Sequence, residues 1–326
     1  MASRYIRDTA ILAKIEAVYG TDPTPAGASN SMQVSNVRIT PLQAQFVPRD
    51  LLRNFFGASE ELISFYNKAI SFDVEAVGSG TKGTAPAWGP LIRACGFAEA
   101  LTATEQVRYT PITNSQESVT IYVYDSGVLH KLTGARGSVN ISMPLGGIPK
   151  LSFTFVGIDS GDSAATPTGV TFASFRVPQV LNNAFTGDLT LGGTLSATGS
   201  APSITSGTTY PSTGIEIDMG IRPEFIPLLG QETVEITDRQ AKGKIKVDVT
   251  AAQEVSFYST IKGGGTQSIA LLHGSVDGDR FGVYGAAAQI TVPSKSDMSG
   301  KRMMEYDLVL CPTTAGNNEL TILASF

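Results

Sequence analysis

Residues 118–158 read SVTIYVYDSGVLHKLTGARGSVNISMPLGGIPKLSFTFVGI, and residues 268–310 read SIALLHGSVDGDRFGVYGAAAQITVPSKSDMSGKRMMEYDLVL. The two stretches follow one plan. Each opens on an apolar strand, turns at a glycine and runs through a second strand to a Gly-rich corner. Each then reaches Ile-x-apolar-Pro, as Ile141-Ser142-Met143-Pro144 and Ile290-Thr291-Val292-Pro293. Both close on a strand in which apolar and polar side chains alternate, Leu151-Ser152-Phe153-Thr154-Phe155 and Met304-Glu305-Tyr306-Asp307-Leu308. A long unit present twice is a domain duplication; a solenoid needs three or more short repeats. Two similar modules in one chain fit two equivalent places in a ring, which points to assembly rather than catalysis.

The repeat extends upstream. Ala69-Ile70-Ser71-Phe72-Asp73-Val74-Glu75-Ala76 alternates with the period of a half-exposed strand, and Gly243-Lys244-Ile245-Lys246-Val247-Asp248-Val249 does the same. A helix is expected after each. In the first module Trp88, Leu91, Ile92 and Cys95 share a helical face ahead of Gly96; in the second, Phe257 and Ile261 share one ahead of Gly263. Still earlier, residues 37–46 resemble residues 215–225. Strands are expected over 32–40 and on through 43–47. Residues 49–66 have the composition of two strands or a loop, with a helical alternative at 50–54. In residues 5–19 the apolar positions Ile6, Ile11, Leu12, Ile15 and Val18 approximate helical spacing, so the reading there is a short amphipathic helix or arm. Pro23 and Pro25 set it apart in a turn-rich stretch. The expected organisation is an arm over 1–30, a β domain over 31–165, a linker with a small hairpin over 166–210, and a second β domain over 211–326.

Composition agrees with a mainly β chain. Of 326 residues only 16 % are charged, against ~25 % in ordinary soluble domains, and glycine reaches 34 residues. The net charge of −5 lies wholly in the second half: residues 1–180 carry 14 basic and 14 acidic side chains, residues 181–326 carry 10 and 15. An acidic chain without a Lys/Arg stripe is not built to grip nucleic acid through phosphates. Two cysteines, Cys95 and Cys311, make no disulfide framework and read as buried free thiols. No signal core and no run of 18 apolar residues appears, so the expectation is a chain made in a cytoplasm, with no membrane anchor.

Motifs for chemistry are thin. Gly78-Ser79-Gly80-Thr81-Lys82-Gly83 matches the dinucleotide fingerprint between a strand and a helix. Its strand alternates where a parallel strand would be continuously apolar, and Pro86 and Gly89 break the start of the helix, so the loop reads as mobile or contact-making. His130 and His273 lie in corresponding hairpins with no ligand set for zinc. His130 with Asp125 lacks a nucleophile elbow. Asp277-Gly278-Asp279 lacks the remaining ligands of a calcium loop and reads as a hairpin turn. No catalytic residue, metal site or cofactor is expected. Lys242, Lys244 and Lys246 place three cations on one strand face, either solvated or paired with acidic groups of a neighbouring subunit.

At two places the sequence resembles a known family. AKIEAVYGTDPTPAGASN (residues 13–30) is similar to the start of tail proteins of long-tailed bacteriophages. The passage from Glu75-Ala76-Val77 through GSGTKGTAPAWGPLIRACGF (residues 78–97) looks like the strand, Gly-rich loop and short helix of siphophage major tail tube proteins. The strand–helix–strands plan extends the likeness over 31–158, and residues 215–326 share it through the internal repeat.

The resemblance implies two tandem tail-tube-type β-sandwich or barrel domains, each with a short flanking α-helix. In that family, inner sheets join between subunits into a ring barrel. Its members stack rings helically into a tube on a tape-measure protein, with a tail terminator, and double-stranded DNA passes through during ejection. Most have one domain and form rings of six. Two domains per chain would close the same pseudo-sixfold ring with three. The location implied is the virion tail, assembled in the bacterial host cytoplasm. Other readings are a different tail ring component, such as a terminator or baseplate protein, and a cell-surface or carbohydrate-binding β-sandwich. If the alternating strands form the inner sheet, Asp73, Glu75 and Asp248 are candidates for the lumen face, with Lys244 and Lys246 as candidates for contacts between subunits.

Overall fold

Alternation decides which side of each strand is buried, and the buried sides of this chain meet in one core. The computed structural model describes residues 4–197 and 201–326. The first half runs β1 (Thr9–Ile15), α1 (Gly27–Asn30), β2 (Ser31–Met32), β3 (Ser35–Val47), β4 (Leu62–Glu75), α2 (Gly89–Arg93), β5 (Phe97–Thr102), β6 (Gln106–Pro111), β7 (Val119–Asp125), β8 (Val128–Pro144) and β9 (Lys150–Ala164). The second runs β10 (Leu189–Leu191), β11 (Thr194–Leu195), β12 (Ile204–Thr205), β13 (Thr208–Tyr210), β14 (Ser212–Asp218), β15 (Pro223–Leu228), β16 (Gln231–Ile236), β17 (Lys242–Val247), α3 (Ala251–Lys262), β18 (Thr266–His273), β19 (Phe281–Met298), β20 (Lys301–Cys311) and β21 (Thr321–Ala324). The fold is mainly β and antiparallel throughout, consistent with a β-sandwich.

Two sets of strands pair in the same way. In the first half β3-β4-β9-β8 form one layer, and β8 continues into a second layer with β7, β1 and β2. In the second half β14-β17-β20-β19 form the matching layer, and β19 continues into β18, β10 and β13. The long strands β8 and β19 thus serve both layers. Residues 166–210 therefore do more than link: β10 and β13 belong to the main sheet, while β11 and β12 make the small separate hairpin.

The two layers are joined edge to edge. The end of β8, Asn140–Pro144, pairs with β14 over Gly214–Asp218. One sheet of eight strands results, in the order β3-β4-β9-β8-β14-β17-β20-β19. Among the described residues nothing pairs with the outer edge of β3, nor with β19 beyond Gln289 on the side away from β20.

Aromatic side chains fill the space behind this sheet. Phe72, Phe153 and Phe155 pack with ring centroids 5.8–6.0 Å apart. In the second half Phe257 of α3 sits 5.0 Å from Tyr306 and 5.4 Å from Tyr210. Trp88 bridges the halves, 5.4 Å from Tyr109 and 6.0 Å from Phe281, while its Nε1–H donates to Val77 O. Large aromatic rings supply most of the area in such a core. The helix α3 starts with a reciprocal cap: Thr250 Oγ1 accepts from Gln253 N, and Gln253 Oε1 accepts from Thr250 N. No helix among the described residues is long and apolar enough to cross a membrane.

Residues 5–19 are corrected. Thr9–Ile15 is a strand in its own chain's sheet, paired along its length with β7, and not a helix or a detached arm. Ile11 and Ala13 face the main core, whereas Leu12 packs with Tyr122 and Leu129 on the other side. A strand buried on both faces reads as a continuous apolar run, which periodicity cannot separate from a helix. Glu16 locks its end: the buried carboxylate accepts from Gly20 N, Gly134 N, Ser118 Oγ and Thr120 Oγ1 at 2.6–2.7 Å. The helical alternative at 50–54 is likewise corrected, since residues 48–61 contain no helix. Cys95 is buried as expected, but Cys311 is only partly so.

The joint depends on one glycine. Gly214 has φ +106°, and a Cβ there would lie 1.9 Å from Met143 O. Gly214→Ala is expected to lower the unfolding free energy by about 3 kcal/mol through strain and loss of the ladder, measured by urea denaturation.

Candidate functional site: the polar face of the eight-stranded sheet

Register carries polar side chains into rows across the sheet. Because successive residues of a strand point to opposite faces, Ile70, Phe72 and Val74 enter the core while Ser71, Asp73 and Glu75 turn away. One row runs Asp73, Ser152, Asn140, Asp218, Lys242. The next runs Glu75, Lys150, Ser142, Glu216, Lys244, Asp307, Thr291, crossing seven strands from both halves. Its charges alternate in sign from Glu75 to Asp307. Opposite charges on directly facing residues stabilise a sheet by about 0.2–1 kcal/mol per pair. The face is hollowed: β8, β14, β17, β20 and β19 together line a concavity of ≈ 590 Å³.

All five residues expected from sequence fall on or beside this face. Asp73 Oδ2 accepts from Asn36 Nδ2 at 2.6 Å, and Glu75 stands across from Lys150. Lys244 lies between Glu216 and Asp307, with its Nζ 3.8 Å from Asp307 Oδ1. Lys246 faces Glu305 and donates to Asp297 O at 3.3 Å. Asp248, just after β17, pairs with Lys301. The lysine stripe of β17 is thus matched by carboxylates of its own chain. Sequence reasoning missed Lys150, Glu216 and Asp218 as members of the face. The alternation of Ile215 and Ile217 with Glu216 and Asp218 carried the signal for two of them.

The Gly-rich loop is filled by protein. Gly78 N and Gly80 N donate to Asp279 O and Gly278 O, Ser79 N to Ser325 Oγ, and Gly83 N to Ser325 O, all at 2.9–3.1 Å. A Cβ on Gly78 would lie 2.1 Å from Gly278 O, so glycine is needed for the close approach. Lys82 pairs with Asp277 at 2.9 Å. The amides and the lysine that a phosphate would need are already engaged, so of the two readings, mobile or contact-making, the loop is the second. Asp277 and Asp279 meet Lys82, Arg280 and Arg176. Among the described residues no group of three or more His, Cys, Asp or Glu is placed to hold a metal ion.

The family model for phage tail tube proteins matches residues 6–308. This chain belongs to that family. No curated protein matches the sequence. The tail tube protein is thereby a structural component of a bacteriophage tail, and its two-layered β architecture agrees with that assignment.

Away from the polar face, this tail tube protein holds two further titratable clusters. Lys68 of β4 is fully buried, with its Nζ 2.5 Å from Asp159 Oδ1 and 2.7 Å from Asp162 Oδ1, and a further bond to Gly161 O. Asp162 also meets His130 Nδ1 at 2.6 Å. Burial pushes the Asp162 carboxyl up, but the hydrogen bonds and charges of Lys68 and His130 outweigh it and hold the pKa below the ordinary 3.8. In the second half, His273 accepts at Nδ1 from Thr186 Oγ1 and donates from Nε2 to Gln179 O, tying residues 179–186 to β18. Burial lowers its pKa below the ordinary 6.5, against the hydrogen bond to Gln179, which raises it.

A charge reversal tests the row. Lys244→Glu places a third carboxylate between Glu216 and Asp307 and is expected to cost about 1 kcal/mol, read by urea denaturation at low salt. The His273 shift sets a pH dependence. Above pH 6.5 the ring is neutral folded and unfolded, so it contributes no slope. Below that the unfolded chain binds the proton first, so stability falls as pH falls. His273→Gln is expected to flatten melting temperature between pH 7 and 5 relative to wild type.

Proposed function

We propose that this tail tube protein forms rings in which three copies supply six sheet units, and that the rings stack helically into the channel for genome ejection. The observation that carries the reading is the joint between β8 and β14. It already links two similarly built layers into one sheet, and among the described residues that sheet ends in an unpaired edge on each side. Repeating the joint between copies closes a circle without exposed edges, the usual hazard of β-proteins. Six units from three duplicated chains then take the place of six single-domain chains. In this reading the first unit spans 31–165, the second 211–326, and residues 166–210 lie between.

The concave polar face would line the lumen, with Asp73, Glu75, Lys244, Lys246 and Asp248 near it. Its lysines are matched across strands by carboxylates, so DNA phosphates meet no unpaired cationic track and slide without being retained. The role is structural and not enzymatic. Partners on this reading are further copies of the chain, a tape-measure protein, a tail terminator and double-stranded DNA in transit, with assembly in the host cytoplasm.

Electron microscopy of the concentrated protein, with chain number fixed by mass measurement, tests it. Six-lobed rings or tubes with three chains per ring are expected. Rings of six chains would overturn the three-copy closure, and a monomer that never associates, even on added preformed tail tips, would overturn the ring reading.

A further inference from the structure

Among the described residues Lys68 is the only buried lysine, and its side chain has no contact with water. It lies on the core side of β4 with Ile70 and Phe72. Its cross-strand partner is Gly157, where a Cβ would come within 2.9 Å of Leu132 Cβ and 3.1 Å of Ala135 Cβ. The lysine thus enters the core where apolar packing leaves no room for a side chain opposite it. Its ammonium meets an irregular stretch of β9, Asp159-Ser160-Gly161-Asp162, in which Gly161 takes φ +98°. In a regular strand Asp159 and Asp162 would point to opposite faces. A bulge of β9 against β8, between the pairs His130↔Asp162 and Leu132↔Asp159, turns both to one nitrogen.

The two carboxylates are placed differently. Asp159 is the deeper, with its side chain 12 % exposed and Oδ1 2.5 Å from Lys68 Nζ. Gly161 N–H donates to the same Oδ1 at 2.8 Å, where it would hold a developing oxyanion. Asp162 is 47 % exposed, with Oδ1 2.7 Å from Nζ and 2.6 Å from His130 Nδ1. It touches the nitrogen from the solvent side, where a proton can be taken up and handed on and where a released water can leave. A buried amine held against one carboxyl carbon, with a second carboxylate to move its protons, is the arrangement that an amide condensation needs.

We propose that Lys68 and Asp159 join in an isopeptide bond that the folded chain forms by itself, with Asp162 as the proton carrier. Asp162 takes a proton from the Lys68 ammonium and passes it to Asp159 Oδ2, leaving a neutral amine beside a neutral acid. The Nζ lone pair attacks Asp159 Cγ, and the charge that develops on Oδ1 is met by Gly161 N–H. A second Nζ proton then travels through Asp162 to Oδ2. The Cγ–Oδ2 bond breaks and Oδ2 departs as water. Two ammonium protons leave in that water and the third stays on the amide nitrogen, so no further reactant is consumed. The core favours the product because two charges that are costly to hold away from water give way to one neutral amide. The bond forms within one chain and ties β4 to β9.

The mass of the intact, denatured wild-type chain tests it, and this reading needs no variant to fold. The expected mass is that of the sequence less one water, and proteolysis should yield a branched peptide joining position 68 to position 159. The full sequence mass in folded, aged protein overturns the proposal. So does a lost water that maps elsewhere, or a branch from position 68 to Asp162. Asp159→Ala is expected to restore the full mass. Asp162→Asn, at a half-exposed position, is expected to keep the near-UV circular dichroism of the fold and to accumulate the branched product about a hundredfold more slowly after timed induction. Linking at the wild-type rate in that variant overturns the part given to Asp162.

Discussion

The five-residue ladder between the end of β8 and β14 is the constraint on which the rest of this protein hangs. Without it the chain holds two separate four-stranded layers, each with two exposed edges. With it there is one curved sheet and one polar face in front of the shared core. The ladder places Gly214 in a conformation no other residue adopts easily, and it sets Glu216 opposite Ser142 and Asp218 opposite Asn140, so the rows of the first half run on into those of the second. The charge rows are therefore a consequence of backbone pairing, and any slip by one residue would turn every lysine and carboxylate of β14 and β17 into the core.

Buried polar clusters guard that register at the sheet's extremes. Lys68 has no access to water, so its ammonium must find carboxylates, and only one alignment of β4 on β9 brings it to Asp159 and Asp162. Glu16 plays the same part for β1, with four donors from three separate chain segments. Breaking such a site by removing one partner is more costly than the pair's net contribution, because it leaves the other charge buried alone. These groups act through the penalty for misalignment rather than through attraction.

Much of this was legible in the residues. The repeat around Ile141–Pro144 and Ile290–Pro293, the alternation at Ile70–Glu75 and Lys244–Asp248, and the faces of α2 and α3 all follow from local pattern. Three matters did not. The β1 strand escaped because burial on both faces erases the period of two. Leu189–Leu191 reads from sequence as a strand-like piece of the linker, and its place in the main sheet escaped because its pairing with β18 is set by residues far along the chain. The cross-strand partners of the polar face were hidden because register is a long-range property: Lys150 meets Ser142 and Glu75 only once β9 has been placed between β8 and β4.

The interlocking of the Gly78–Gly83 loop with Ser325, and of β6 with β21, bears on when this protein can fold. Strand β6 has β5 on one side, and its other edge receives Ile322–Ala324, more than 200 positions later in the chain. Trp88 likewise waits for Phe281. On a ribosome the first half would emerge with an open flank and part of its core wet until β21 arrived. Pairings this distant in sequence are slow to form, and unfinished β edges invite the wrong partner. The molecule thus couples the arrival of β21 to the burial of its first core, so that a chain cut before Thr321 lacks the strand that covers the flank of β6.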